Sequence, residues 1–150
     1  MKTITFLRHA EPDRYGALSP HGIAQASQRA LYFCNNPPDL IITSNAPRAI
    51  LTGRCIQDAL HLTIPEIILN ELSIPDVIDD LFLKKAKQAL ETSITEYNAQ
   101  NIVVISHSGL INYFGQEFAT FEILNSTLFG CAEGFQIQWE NHKPFLTLLK

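Results

Sequence analysis

The chain has 150 residues, of which 46% are hydrophobic and 17% charged, and a formal net charge of −4. That length fits one domain around a single core, and the acidic balance argues against nucleic acid or an anionic membrane as a bulk-charge partner. No apolar stretch reaches the length of a membrane span, and no signal-peptide pattern opens the sequence. Cys34, Cys55 and Cys131 show no paired metal spacing. The expectation is a cytoplasmic protein with reduced, partly buried thiols.

Residues 3–7 read as a buried strand, followed by a loop over 10–18 that contains Pro12 and Gly16. A helix then starts with Ser19 as N-cap and Pro20 in the first helical position. Leu18 and Ile23 are placed for a hydrophobic staple across that cap. Ile23, Ala26, Ala30 and Phe33 give the buried stripe, and Asn35-Asn36-Pro37-Pro38 ends the helix. Residues 40–43 are a second short strand, and Asn45 and Pro47 favour a helix running to about Leu60. Residues 62–72 look extended or loop-like around Pro65. Pro75 and Asp76 mark the next helix start, with Ile78, Leu81, Phe82, Leu90, Ile94 and Tyr97 as its apolar face to about Asn98. A third strand spans 102–106, a helix 109–118, and a terminal hairpin pairs 134–139 with 145–149. The order β-α-β-α-α-β-α plus two strands predicts one α/β domain over 1–150. It has three layers, α/β/α, with a mostly parallel central sheet and a C-terminal antiparallel hairpin.

Two histidines and two arginines follow the three strand runs. Arg8-His9 follows the first, Arg48 lies just beyond the second, and His107 follows the third. Ligands of open α/β sheets bind outside the carboxyl ends of the strands. A neutral imidazole there can attack phosphorus, which makes His9 the candidate nucleophile. Side chains alternate along a strand, so a turn is needed to bring Arg8 and His9 to one site. Arg48 falls in the first turn of a helix, where free N–H groups favour an anion and a guanidinium adds bidentate contacts. A cation there opposes the helix dipole, a cost that a bound dianion offsets. His107 can donate to a phosphoryl oxygen or stay protonated to balance charge, and Ser108 and Gly109 follow it. His21, His61 and His142 fit surface roles, and the sequence implies neither a metal nor a cofactor.

These residues resemble the histidine phosphatase superfamily, also called the phosphoglycerate mutase-like family. The matching segments are Phe6-Leu7-Arg8-His9-Ala10-Glu11, Leu18-Ser19-Pro20-His21-Gly22-Ile23-Ala24-Gln25-Ala26, Ser44-Asn45-Ala46-Pro47-Arg48-Ala49 with Thr52, and Val104-Ile105-Ser106-His107-Ser108-Gly109. They occur in family order across most of the chain. The resemblance implies metal-free phosphoryl transfer through a phosphohistidine at His9, with Arg8, Arg48 and His107 holding the equatorial oxygens. Ser108 is expected either to narrow the pocket or to add a phosphate-binding hydroxyl. Leu69-Asn70-Glu71-Leu72 is similar to the neighbourhood of the family's general acid, which points to Glu71, with Asp76 and Glu11 as fallbacks. A shared anionic site would raise the pKa of that acid. Ala10 and Ser108 stand where glycines are common, and the family's Trp-Asn pair is missing near Arg14-Tyr15.

Only about sixteen residues, His61 to Asp76, separate the helices where mutases carry a capping insertion. The resemblance is therefore to the short SixA-type branch, with an open, shallow site. Hydrolysis is the expected outcome, because mutase chemistry must exclude water. The substrate is a small-molecule phosphoester or a phosphoprotein. Mutase-type transfer and a non-catalytic phosphate-binding module are the alternatives. The sequence does not fix an oligomeric state.

Overall fold

The structure, a computed structural model, describes residues 2–150. Six strands form one sheet: β1 (Thr3–Arg8), β2 (Leu40–Thr43), β3 (Glu66–Ile68), β4 (Asn101–Ser106), β5 (Gly134–Glu140) and β6 (Lys143–Leu149). Their spatial order is β3-β2-β4-β1-β5-β6. The first four are parallel, and β5 and β6 add to β1 in antiparallel sense. The helices are α1 (Pro20–Ala30), α2 (Pro47–Leu60), α3 (Asp80–Glu96) and α4 (Leu110–Phe118).

Alternation along the parallel strands feeds two separate cores. Ile102 and Val104 of β4 pack, with Ile4 and Phe6, against Ala86, Leu90 and Ile94 of α3 and Ile111 and Phe114 of α4. Val103 and Ile105 point the other way, with Leu7 and Ile41, against Ala30 of α1 and Ala49 and Ile56 of α2. This is the expected three-layer α/β/α arrangement. At the C-terminal end, Asn141 and His142 both have positive φ and make the two-residue turn of the β5–β6 hairpin.

The cap of α1 is as the sequence predicts: Ser19 Oγ accepts from Gly22 N at 3.0 Å, and Pro20 opens the helix. The buried stripe, however, is turned toward Gly22, and Ile23 is exposed. A Cβ at Gly22 would lie 2.2 Å from Glu11 O, so the bare glycine lets the loop after His9 press onto the helix. Cys34 is exposed on the turn that ends this segment, whereas Cys55 and Cys131 are half-buried; all three are free thiols.

Two further expectations change. Within the extended 62–72 segment, Glu66–Ile68 joins the sheet as its parallel edge strand, and Asn70–Leu72 forms a 3₁₀ turn. Helix α3 begins not at Pro75-Asp76 but at Asp80, because the Asp79 side chain accepts from Phe82 N and caps the helix there. Ile78 therefore lies outside the helix, and Ile78, Leu81 and Tyr97 are exposed. The inward face of α3 is carried by Ala86, Leu90 and Ile94, with Phe82 half-buried. Among the described residues no helix is long and apolar enough to cross a membrane.

Candidate active site

β4 lies between β1 and β2, so the exits of these three parallel strands are side by side. That adjacency gathers four of the residues singled out in the sequence. His9 follows β1, and its N–H donates to Ser106 O of β4 at 3.0 Å. Side chains keep alternating through this step, with no turn between Arg8 and His9. Phe6 and Arg8 share one parity: Arg8 Nη1 donates to Phe129 O at 3.2 Å, and Phe129 belongs to the α3–α4 core. His9 takes the opposite parity and meets Arg48 of α2. The length of the Arg8 side chain, not a turn, brings its charge to bear on both imidazoles.

Arg48 is the hub. Its Nε donates to His9 Nε2 at 3.2 Å, and Nη2 lies 3.4 Å from His107 Nδ1. The two imidazole centroids are 5.4 Å apart with an interplanar angle of 63°. His9 and His107 are 6% and 4% exposed, so the floor of the site is almost closed to water. Arg8 Nε is buried and has no hydrogen-bond partner among the described residues. An unsatisfied buried donor costs about 1–3 kcal/mol, which an incoming oxyanion would remove.

Hydrogen-bonding capacity fixes the reactive nitrogen of His9. Its Nδ1 lies 2.8 Å from Ala10 O, which only accepts, so Nδ1 carries the proton. Nε2 then keeps its lone pair and accepts from the guanidinium. Burial, opposed by the Ala10 hydrogen bond and reinforced by Arg48 and Arg8, holds His9 below its ordinary pKa. His107 is pushed down to about 4, first by burial and then by His9, Arg48 and Arg8. Both rings are neutral near pH 7, the state in which an imidazole is a nucleophile.

Two hydroxyls not singled out as site residues from the sequence support this constellation. Thr52, one helical turn after Arg48, accepts from Ala10 N at 2.9 Å and donates to Arg48 O at 2.7 Å. It joins the loop that holds His9 to the helix that holds Arg48. Ser44, the residue after β2, lies 2.9 Å from His107 Nε2. The i, i+4 spacing of Arg48 and Thr52 was a visible signal. The pairing of Ser44 with His107 was not, because it depends on β2 and β4 being neighbours.

Asn45 does not cap α2, whose N-cap is Ala46 without a side-chain bond. Instead its amide donates to Asn70 Oδ1 and its carbonyl receives the Ser73 hydroxyl, which ties the rim of β2 to the 3₁₀ turn. That turn is also held by Ser106 Oγ donating to Leu72 O at 2.6 Å. Glu71, on the same turn, is exposed and lines a groove with Lys85, Gln88 and Thr92 of α3. No hydrogen bond joins it to the histidine–arginine group. Ser108 is exposed at the start of α4, and Gly109 adopts φ +81°, a conformation that favours glycine. Glu11 bonds through Oε2 to Ser19 Oγ, and Asp76 is an exposed loop residue. No cluster of three or more metal-ligating side chains occurs among the described residues.

No family model matches the chain, and no curated protein matches it by sequence. Solved structures do match. The protein histidine phosphatase SixA complexed with tungstate superposes with a TM-score of 0.76 at 16% identity, over 97% of this chain and 94% of that one. The alpha-ribazole phosphatase of Shigella flexneri gives 0.71 at 17% identity, over 98% and 95%. A histidine-to-alanine mutant of phosphoserine phosphatase from Entamoeba histolytica, in complex with phosphoserine, gives 0.70 at 18% identity, over 99% and 96%. The chain has the phosphoglycerate mutase-like α/β fold of these phosphatases.

Proposed function

We propose that the protein is a metal-independent phosphohydrolase of the histidine phosphatase superfamily that works through a covalent phosphohistidine at His9. The observation that carries this reading is the position of Arg48, whose guanidinium faces the His9 lone pair and the His107 ring together. His9 Nε2 attacks phosphorus, a P–N bond forms, and the bond to the leaving atom breaks. Arg8, Arg48 and His107 hold the three equatorial oxygens, where transition-state charge concentrates. Ser108 at the rim adds a hydroxyl donor. The leaving atom takes a proton, from Glu71 when it is an ester oxygen. Water then attacks phosphorus, the P–N bond breaks, and phosphate departs with His9 restored.

Hydrolysis is favoured over mutase chemistry. Between the end of α2 and the start of α3 lie only a three-residue strand, one 3₁₀ turn and loop, with no helical cap over the site. A phosphoenzyme beneath so short a connection is accessible to water, whereas a mutase must exclude it. The substrate class is a phosphomonoester or a protein phosphohistidine. Three free thiols, one of them exposed, suit a reducing, cytoplasmic setting.

The test is turnover of an aryl phosphate in the presence of chelator, with acid quenching to trap the intermediate. A phosphoenzyme that is acid-labile and alkali-stable, and absent in His9→Ala, supports the proposal. Phosphate-analogue binding without turnover would make the protein a binding module. Faster isomerisation of a phosphoglycerate than phosphate release would make it a mutase.

A further inference from the structure

The two imidazoles of the site are held in opposite tautomers. Arg48 can only donate, so His107 Nδ1, 3.4 Å from its Nη2, carries a lone pair. The neutral ring then has its proton on Nε2, which donates to Ser44 Oγ at 2.9 Å. Ser44 is fully buried, and its oxygen also accepts the Ala46 N–H at 3.4 Å. His9 is the reverse, with its proton on Nδ1 toward Ala10 O. Both lone pairs therefore converge on one guanidinium.

That arrangement suits a guanidinium and does not suit an oxyanion. A phosphoryl oxygen offers only lone pairs to His107 Nδ1, acceptor against acceptor. Turning the ring over is no remedy, because Nδ1–H would then face Ser44 and the bare Nε2 would face the pocket. Nδ1 becomes a donor in one of two ways: the ring proton moves there and the Ser44 hydroxyl reverses to donate to Nε2, or one additional proton binds Nδ1 while the Nε2–H bond to Ser44 is retained, and only the second takes up a proton.

We propose that Ser44 is a positioning residue for phosphoryl binding: by accepting the Nε2 proton of His107 it presents Nδ1 to the pocket, and an oxyanion enters together with one proton on that nitrogen. The proton comes from solvent or arrives on the phosphoryl group as its monoanion. The groups facing the ring explain why the proton and the anion are linked. Burial is the first obstacle to a charge on His107, followed by His9 at the β1 exit, Arg48 from α2 and Arg8. The 3₁₀ turn beside β4 brings Glu71, which is exposed and makes no hydrogen bond to the ring. A dianion among these groups cancels the two guanidinium charges and, lying against Nδ1, favours the imidazolium. The proton-uptake half of this inference rests on the phosphoryl-site reading above; the tautomer half does not.

The experiment is ¹⁵N NMR of the imidazole nitrogens, with calorimetric titration of inorganic phosphate at pH 8 in two buffers of different ionisation enthalpy. In the wild-type protein His107 is expected to show a protonated Nε2 and a bare Nδ1, and phosphate to protonate both nitrogens with uptake of about one proton. Ser44→Ala should release the ring from its single orientation and weaken phosphate binding about tenfold, the worth of one good hydrogen bond. Ser44→Thr, which keeps the hydroxyl, should recover both. A bare Nε2 in the wild-type protein would overturn the inference without any ligand, as would wild-type affinity and proton stoichiometry in Ser44→Ala. If the tautomer is as stated but phosphate does not bind, the phosphoryl-site reading fails and proton uptake fails with it.

Discussion

His9 and His107 face each other across 5.4 Å with both rings nearly buried, and the pKa of each is lowered first by that burial and further by Arg48 and Arg8. Two neutral bases beneath two permanent cations form an assembly that an oxyanion completes. Such an anion accepts from the guanidiniums, including the unpartnered Arg8 Nε, and draws protons toward the imidazoles. A ligand that binds only the folded state raises stability by mass action, about 2.7 kcal/mol at a hundred times its Kd. Saturating inorganic phosphate should therefore raise Tm by several degrees, and this gain should be absent in Arg48→Ala. Differential scanning fluorimetry over a phosphate series measures it.

The same two rings make the protein sensitive to acid. Both pKa values are lowered in the fold, so the unfolded chain binds protons that the folded protein refuses. Above pH 6.5 the rings are neutral in both states and contribute no pH dependence. Below it the unfolded state gains protons first, and stability falls as pH drops toward 4. Urea unfolding at intervals from pH 7.5 to 4 should show this loss. It should be smaller in His107→Gln, which leaves only His9 to charge.

Arg48→Lys tests geometry separately from charge. An ammonium keeps the positive charge but has no Nε and Nη2 pair to meet His9 Nε2 and His107 Nδ1 at once. Losing a preorganised donor to developing charge costs on the order of a hundredfold or more in kcat. The variant should fold normally, since Arg48 is half-buried at the rim. Recovery of wild-type kcat by the lysine would mean that only net charge matters at this position.

The strand exits were legible in the sequence because β1, β2 and β4 are short apolar runs, buried on both faces and ended by polar residues. Ile102 to Ile105 show no alternation of polarity, the pattern expected of a central parallel strand. Strand β3 was not legible as sheet, since three residues after Pro65 carry little signal and Ile68 is 46% exposed. The start of α3 was misplaced because Pro75 is a strong helix-start signal in isolation, whereas the cap that forms is Asp79. Leu81 and Tyr97 fit the helical period of α3 yet remain exposed, so periodicity alone did not say which apolar residues are covered. At the site, the histidines and arginines stood out through their chemistry. Ser44 and Thr52 are ordinary residues whose roles come from partners 63 and 42 positions away.

Thr52→Val removes a hydroxyl and keeps the shape. Ala10 N then becomes a buried donor without a partner, at a cost of about 1–3 kcal/mol. For a domain of this size each kcal/mol corresponds to roughly 2–4 °C in Tm. Activity should fall as well, because Ala10 O orients His9 through Nδ1 and the Ala10 peptide is no longer pinned to α2. A variant with normal Tm and turnover would show that Thr52 does not couple the two segments.

Glu71→Gln decides between the two leaving-group chemistries. An ester oxygen needs a proton as its bond to phosphorus breaks, and a positioned acid contributes roughly 10²–10⁴-fold to such a step. An imidazole leaving group from phosphohistidine is already a weak base and needs less help. The Glu71 carboxylate is exposed in the groove beside α3, and its 3₁₀ turn is fastened to the rim by Ser106, Asn45 and Ser73. Glutamine keeps size and polarity and removes only the acid. If Glu71 serves the reaction, the variant should lose at least tenfold in kcat on aryl and alkyl phosphates, most on alkyl esters with poor leaving groups, and little on a phosphohistidine protein. Phosphoenzyme hydrolysis, followed by chase, should slow as well if the carboxylate later accepts a proton from water. Equal loss on both substrates would point to a structural effect of the turn. No loss on alkyl esters would remove Glu71 from the mechanism and leave Glu11, two residues beyond the nucleophile, as the next carboxylate to test.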